Sequence, residues 1–266
     1  METPSALTAS DLALSYDQRQ VSVDLDVDIP DGAMTVIIGP NACGKSTLLR
    51  ALARLLKPQA GQVYLHGDDI RSLAPKEMAR RLGLLPQSSK APFGISVSDL
   101  VSRGRFPHQH MLRQWSVEDE AALARALMAT GITDLAHRSV DELSGGQRQR
   151  VWIAMVLAQN TPVMLLDEPT TFLDIAHQLE VLQLCQRLNR EEGKTMVLVL
   201  HDLNQAARFA DHLVVMKDGA IAAAGEPAKV LTEHLVEAVF GLRAQVIPDP
   251  VFTTPMVIPI GSLVRS

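Results

Sequence analysis

The feature that most constrains this chain is a glycine-bearing loop between an apolar run and a helix-like pattern. The loop reads glycine, four residues, glycine, lysine and serine, and comprises Gly39, Pro40, Asn41, Ala42, Cys43, Gly44, Lys45 and Ser46, with Thr47 next. The apolar run Met34–Ile38 precedes it, and residues 45–56 follow a helical pattern. Strand, loop and helix in this order are typical of a phosphate-binding loop. The alternative is a glycine-containing turn that carries a surface lysine.

Each residue type in the loop suits a triphosphate. Backbone N–H groups of the loop and the helix start converge on phosphate oxygens. Lys45 supplies positive charge to the β and γ phosphates, and the Ser46 hydroxyl is a hard ligand for Mg²⁺. Ala42 stands where many such loops have glycine, which requires a negative φ there. Cys43 is expected to contribute its backbone N–H, with a regulatory thiol as the alternative.

A pair of carboxylates ends a second apolar run. Asp167 and Glu168 follow residues 163–166, which predict a buried strand. Because ligands bind at the C-terminal edge of a parallel sheet, both side chains are expected at that edge. Asp167 is predicted to hold Mg²⁺, directly or through water. Glu168 is predicted to polarise the water that attacks the γ-phosphate.

Two further polar residues follow predicted strands. His201 comes directly after residues 195–200, and Gln87 follows the strand at 82–85 and Pro86. His201 is expected to hydrogen-bond the γ-phosphate and orient the water, although a histidine after a strand is often structural. Gln87 is expected to ligate Mg²⁺ or hold water, and so to respond to the γ-phosphate.

Strand and helix patterns alternate along most of the chain, which predicts a parallel sheet with right-handed crossovers. Residues 21–29 alternate apolar and polar, as in a half-buried antiparallel strand. Residues 88–158 show only helical patterns and are interpreted as an insertion, whereas the proline-containing tail from 241 is predicted not to be helical.

Composition excludes several classes of function. A net charge of −5, a pI near 5.9 and 4% aromatic residues argue against nucleic-acid binding. Cys43 and Cys185 give no metal or disulfide pattern, which favours a reducing compartment. Without an apolar signal core or a membrane-length run, a cytoplasmic chain is expected, so any membrane process requires another polypeptide.

A second motif identifies a family. Residues 143–147 read Leu-Ser-Gly-Gly-Gln before a helical pattern, and here the chain resembles the ATP-binding subunits of ABC transporters. Ser144, Gly145, Gly146 and Gln147 are the predicted signature contacts. The resemblance implies a homodimer in which each ATP lies between the phosphate loop of one copy and the signature of the other, with Asp174 reaching across. It also implies that Tyr16 stacks on adenine, although Tyr16 is equally plausible as a strand-edge residue.

The resemblance implies an α/β fold: a P-loop NTPase (RecA-like) parallel-sheet core, an antiparallel β subdomain and an inserted α-helical subdomain. The ATPase domain is expected over residues 1–240, with the core and β subdomain at 1–87 and 159–240 and the helical subdomain at 88–158. The tail covers 241–266. Residues 88–115 are expected to form the groove that receives a permease helix.

Narrower motifs resemble the subfamily that energises iron–siderophore, haem and cobalamin importers, with the siderophore branch most similar. They are the cysteine before Gly44, the segments 103–108, 170–178 and 201–206, and the proline-rich tail. Implied partners are a second ATPase copy, two permease subunits and an extracytoplasmic binding protein, which places the chain at the cytoplasmic face of the membrane. Alternatives are a divalent-metal importer, an exporter ATPase, a non-transport ABC ATPase acting on DNA or ribosomes, and a nucleotide sensor without turnover.

Overall fold

The computed structural model describes residues 4–16, 19–88, 90–109, 115–171 and 173–262. The chain folds as two units, one formed by Met1–Ser72 with Thr195–Ser266 and the other by Leu73–Lys194. Among the helices of these described ranges, none has the length and apolarity needed to span a bilayer. The predicted boundaries at 88, 158 and 240 remain predictions.

The described residues form twelve strands and nine α-helices. The strands are β1 Ser5–Tyr16, β2 Arg19–Pro30, β3 Met34–Ile38, β4 Ala60–Leu65, β5 Asp68–Asp69, β6 Leu82–Leu85, β7 Val163–Asp167, β8 Thr195–Val199, β9 His212–Lys217, β10 Ala220–Gly225, β11 Leu242–Pro248 and β12 Pro255–Ser262. The helices are α1 Lys45–Leu52, α2 Pro75–Arg81, α3 Val97–Ser102, α4 Val117–Ala129, α5 Gly145–Ala158, α6 Ile175–Glu192, α7 Leu203–Phe209, α8 Pro227–Val230 and α9 Glu233–Phe240.

The first unit contains both kinds of sheet that the sequence predicts. An antiparallel sheet has the order β2-β1-β4-β5. In a second sheet, β3 pairs in parallel with β8 and β9, and β10 runs antiparallel to β9. Every residue of β3 and β8 is buried, as expected for parallel strands that are covered on both faces. The α/β class with an antiparallel β part is thus confirmed.

The predicted alternation over residues 21–29 is broken at one point. Val23 is 49% exposed, whereas Ser22 is buried. Asp24 has a φ of 48°, and the register pairs Leu12 with Leu25 but Leu14 with Ser22, so β2 carries one extra residue. Because of this β-bulge, the residues before Asp24 point to the opposite sheet face from the one predicted, so that Ser22 is buried and Val23 is exposed.

The first helix is shorter than predicted. It ends at Leu52, not residue 56, because Arg54 adopts a left-handed φ of 59°. The Arg54 N–H donates to Ala51 O and the Leu55 N–H donates to Arg50 O, the paired bonds of a Schellman C-cap. No glycine marks this end, so the sequence lacks the usual stop signal.

In the second unit, β6 and β7 pair in parallel, and the regular elements described between residues 88 and 158 are all helical, apart from an isolated bridge between Ser96 and Ser139. A buried ion pair joins two helical segments of this unit: Arg105 Nε lies 2.8 Å from Asp119 Oδ1. A second Arg105 nitrogen donates to Ala158 O at the end of α5. One guanidinium therefore ties together α4, α5 and the segment that follows α3.

The described part of the tail is a β-hairpin, consistent with the prediction that it is not helical. Strands β11 and β12 pair antiparallel from Leu242↔Ser262 to Pro248↔Pro255. Asn204 of α7 clamps β12, since its Nδ2 donates to Val257 O and its Oδ1 accepts from Val257 N. The hairpin is therefore fastened to the helix that begins just after His201.

Candidate nucleotide-binding site

The phosphate loop connects β3 to α1 and closes around a lysine. Lys45 is buried, and its Nζ donates to Gly39 O at 2.9 Å and Pro40 O at 2.8 Å. Since an ammonium has three donors, these two bonds orient the charge and still permit a bond to a ligand. The loop thus folds around the positively charged side chain of Lys45.

The α1 N-terminus is suited to an anion. Gly44 is its N-cap with a φ of 107°, and no acidic residue lies in the first turn. Ser46 is half-buried and Thr47 is buried in this turn. The helix dipole and the N–H groups of the first turn therefore face no competing carboxylate on their own helix.

Ala42 corrects one expectation. Its φ is +60°, in the left-handed region, whereas a negative φ was expected. A left-handed alanine costs roughly 1–2 kcal/mol because Cβ crowds the following carbonyl oxygen. A left-handed non-glycine residue persists only where the surrounding structure holds it, and such residues occur in ligand-binding loops.

Cys43 is buried, and its N–H donates to Pro40 O at 3.4 Å as part of the loop's own turn. Burial is the main cause that raises the pKa of its thiol above the ordinary value. A protonated, buried thiol is a weak nucleophile, which argues against the regulatory alternative.

His201 lies beside the phosphate loop in the strand register of the first unit. Ile37 pairs with Val199 in the parallel ladder, so Gly39 and His201 each stand two residues beyond a paired position. Leu200 N also donates to Ile37 O. His201 is exposed at this C-terminal edge, and its contact with the γ-phosphate stays a prediction. Tyr16 ends β1, but its side chain lies outside what the structure describes.

In the second unit, two of the predicted residues are in contact. Gln87 Nε2 donates to Glu168 Oε2 at 2.8 Å. Thr171 Oγ1 donates to the same oxygen at 3.1 Å, a contact that sequence reasoning missed. Asp167 ends β7 and is buried, whereas Glu168 has a left-handed φ of 52°. A left-handed backbone at the non-glycine residue that carries the predicted water-binding carboxylate agrees with the functional role predicted for Glu168.

The signature opens α5 with a complete cap. Ser144 Oγ accepts from Gln147 N, and Gln147 Oε1 accepts from Ser144 N. A Cβ on Gly145 would meet no atom within 4 Å, so the helix start is open to a ligand. A Cβ on Gly146 would lie 3.2 Å from the ring of His177, which sequence reasoning did not select.

Asp174 caps α6 in this structure. Its Oδ1 accepts from His177 N at 2.9 Å and lies 2.7 Å from His177 Nδ1. The backbone hydrogen bond from His177 is the main cause that lowers the pKa of this carboxyl. Asp174 is therefore an ionised N-cap on an exposed surface, and its role across a dimer stays a prediction.

Metal ligation also stays a prediction. Among the described residues, no cluster of three or more histidine, cysteine or acidic side chains forms a metal site. The predicted ligands Ser46, Gln87 and Asp167 offer a hydroxyl, an amide oxygen and one carboxylate. These hard oxygen donors suit Mg²⁺, which takes few protein ligands and completes its shell with water and substrate phosphates.

Comparison with known proteins agrees with these motifs. Residues 23–171 match the family model described as ABC transporter. The chain is 55% identical over 98% of its length to the ferric enterobactin transport ATP-binding protein of Escherichia coli K12, covering 96% of that protein. It is 54% identical over 97% of its length to the achromobactin transport ATP-binding protein of Dickeya dadantii, again covering 96% of the relative.

Solved structures of ABC proteins also match this chain. An inward-facing metal-chelate type ABC transporter matches with a TM-score of 0.83 and 30% identity, over 97% of this chain and 98% of the other. A dimeric ATP-binding cassette in a post-hydrolysis state with ADP and phosphate matches with a TM-score of 0.72 and 29% identity, over 83% and 98%.

Proposed function

The chain belongs to the ABC transporter family, and we propose that it hydrolyses ATP to energise the import of a ferric siderophore. The observation that carries this proposal is the 55% identity, over nearly the whole chain, to a ferric enterobactin transport ATP-binding protein. The intact phosphate loop and the Gln87–Glu168 contact support turnover rather than nucleotide sensing alone.

The chemical roles follow from the side chains. The loop from Gly39 to Thr47 binds the phosphates, and Lys45 neutralises charge on the β and γ groups. Glu168 accepts a proton from the attacking water or positions it. Gln87 and Thr171 hold Glu168 Oε2, which fixes the carboxylate in one orientation. His201 orients the γ-phosphate or the water.

Magnesium is the expected companion of ATP. Ser46, Gln87 and Asp167 would hold it, because all three offer the oxygen atoms that this ion prefers. When bound, it supplies positive charge to the transferring phosphoryl group. Asp167 is buried at the end of β7, where a parallel strand meets the C-terminal edge of its sheet.

We propose that two copies form the working ATPase. Ser144, Gly145, Gly146 and Gln147 of one copy bind the triphosphate held by the loop of the other, and Asp174 contributes across the interface. The dimeric cassette among the structural relatives supports this arrangement. Since ATP lies in the contact, its binding favours the closed dimer and hydrolysis favours opening.

The remaining partners are two permease subunits, which place this chain at the cytoplasmic face of the membrane, and an extracytoplasmic binding protein that acts through them. Residues 88–115 receive the permease. Phe93 is 97% exposed and Phe106 is 61% exposed, as expected for apolar anchors awaiting a partner. Residues 89 and 110–114 of this segment lie outside the described ranges.

A haem, cobalamin or divalent-metal importer is the alternative within transport. A cobalamin import ATP-binding protein of Halobacterium salinarum is 42% identical over 89% of this chain, and the chain covers 59% of that protein. The siderophore relatives share more residues over nearly their whole length, which favours an iron chelate.

The decisive experiment is deletion of the gene followed by growth on ferric chelates, haem or cobalamin as separate supplements. The expected result is loss of growth on one ferric chelate class, restored by the wild-type chain and not by a Glu168→Gln variant. Loss confined to haem or cobalamin would replace the proposed cargo. Purification from the native membrane should recover a permease, and its repeated absence would contradict a transport role.

A further inference from the structure

The turn between β9 and β10 lies against the phosphate loop. Asp218 and Gly219 form this turn, with φ values of 48° and 82°. We propose that the turn sets the conformation of the phosphate loop, and that Gly219 is a positioning residue for the nucleotide phosphates. The inference rests on the proposed function, since it assumes that the loop binds ATP.

The first contact is a hydrogen bond from Gly219 N to Cys43 O at 3.0 Å. The carbonyl of Cys43 and the N–H of Gly44 belong to one planar trans peptide and point in opposite directions. Pinning Cys43 O to the turn therefore aims the Gly44 N–H away from the turn. Gly44 is the N-cap of α1, where N–H groups are available for phosphate oxygens.

The second contact comes from Met216, two residues before the turn. A Cβ on Gly39 would lie 2.3 Å from Met216 O, and a Cβ on Gly44 would lie 3.5 Å from Met216 Cε. Both glycines that frame the loop thus rest against one residue of β9. Met216 is fully buried, so this support is rigid.

The turn has no room for a side chain at Gly219. A Cβ there would lie 1.8 Å from Val21 O and 2.9 Å from Val21 C. Backbone atoms cannot yield as a flexible side chain does, so any larger residue must displace the turn or β2. Displacement of the turn would move Gly219 N away from Cys43 O.

A simpler explanation is that glycine serves the hairpin alone. The β4–β5 hairpin tests this explanation, because His66 and Gly67 have φ values of 48° and 84°. The two turns have nearly the same φ values, yet a Cβ on Gly67 would meet nothing within 4 Å. The close approach to Val21 is therefore a property of Gly219 and not of the turn type, and at Gly219 it accompanies the hydrogen bond to Cys43 O of the phosphate loop.

The test compares Gly219→Ala with Gly67→Ala in the full-length chain. Both variants carry the same left-handed alanine, so they share the local backbone cost. Titration with a fluorescent ATP analogue should give a dissociation constant raised about tenfold for Gly219→Ala and changed less than about twofold for Gly67→Ala. Equal affinities in the two variants would overturn the inference.

If the Gly219→Ala variant does not fold, a measurement on the wild-type chain still tests the inference. Amide hydrogen exchange at Gly219 should slow by about tenfold or more when Mg·ATP binds, because a nucleotide-bound phosphate loop stabilises the hydrogen bond from Gly219 N to Cys43 O. Exchange at Gly67 should not change. Unchanged exchange at Gly219 despite bound nucleotide would refute the positioning role. Absence of ATP binding by the wild-type chain would instead refute the proposed function.

Discussion

Gln87 and Glu168 are joined through one carboxylate oxygen: Gln87 Nε2 lies 2.8 Å from Glu168 Oε2. Thr171 Oγ1 donates to the same oxygen at 3.1 Å. Both donors are neutral, so they orient the carboxylate without supplying a counter-charge. Hydrogen bonds to one oxygen restrict rotation of the carboxylate, and that restriction is what positioning an attacking water requires.

Substitution of Glu168 with glutamine should abolish turnover and retain nucleotide binding. Glutamine keeps the size of the side chain but cannot accept a proton, so kcat should fall by about 10²–10⁴-fold. With Mg·ATP the variant should accumulate as a closed dimer, measurable by solution scattering beside steady-state ATPase assays. Brisk hydrolysis by this variant would remove Glu168 from its proposed role.

Thr171→Val should lower kcat by roughly 10- to 100-fold with little change in KM, because one net hydrogen bond to a charged group is worth about 1.5–3 kcal/mol. Thr171→Ser is the matched control, since it keeps the hydroxyl and should restore most of the rate. Single-turnover assays on both variants measure the effect. If valine and serine variants hydrolyse ATP at equal rates, the Thr171 hydroxyl does not position Glu168.

Ala42→Gly should stabilise the chain by about 1 kcal/mol, because glycine adopts the left-handed φ of +60° without the Cβ penalty. Ala136→Gly is the control: its φ is −51°, so the same change there should destabilise by roughly 0.5–1 kcal/mol through unfolded-state entropy. Urea unfolding of both variants gives the comparison. A destabilised Ala42→Gly variant would show that the left-handed backbone carries no strain.

The buried pair Arg105–Asp119 should make stability depend on pH. Burial alone raises the pKa of Asp119, but hydrogen bonds from Arg105 and Ser116 outweigh it, so the net pKa lies below the ordinary value of 3.8. A lowered folded-state pKa means that stability is present above pH 3.8 and is lost as pH falls through the folded-state pKa.

Asp119→Asn should therefore destabilise the chain by about 3–5 kcal/mol at pH 7, because Arg105 keeps a buried charge without its counter-ion. The difference from wild type should shrink as the pH falls below about 4. Urea unfolding across this pH range measures it, with the exposed Asp134→Asn variant as the control. A difference that stays constant down to pH 2 would contradict the assigned ion-pair contribution.

Much of the fold could be predicted because its signals are local. Continuous apolar runs predicted β3, β7 and β8 within one residue. The start of α1 was also correct, since the glycine loop defines it. These elements depend on side-chain pattern and on turn chemistry, both of which a sequence displays directly.

What could not be predicted depends on contacts between distant residues. The left-handed Ala42 follows from closure of the loop around Lys45, and the end of α1 follows from a left-handed Arg54 without a glycine signal. The bulge at Asp24 is set by pairing with β1. Thr171 was missed because nothing in its sequence neighbourhood indicates that its hydroxyl reaches Glu168.

The hairpin in the tail is another feature that depends on contacts between distant residues. The prolines predicted only that the segment is not helical and did not indicate strands; Pro248 and Pro255 pair at the end of the hairpin, where neither needs to donate to the ladder. Pro259 lies at a register shift beside Ala244. The prolines are therefore compatible with strands, and only pairing with β11 and the Asn204 clamp reveal the hairpin.

The reciprocal cap of Ser144 and Gln147 has a consequence for assembly kinetics. The Ser144 oxygen accepts from within α5, and its hydroxyl hydrogen can turn toward an incoming phosphate without releasing that bond. In the proposed dimer, a second copy that brings its nucleotide would meet a helix start whose cap is already formed. Because this cap is already ordered, association costs little conformational entropy at the start of α5. Diffusional encounter, and not local refolding, should therefore limit the rate at which two ATP-bound copies associate.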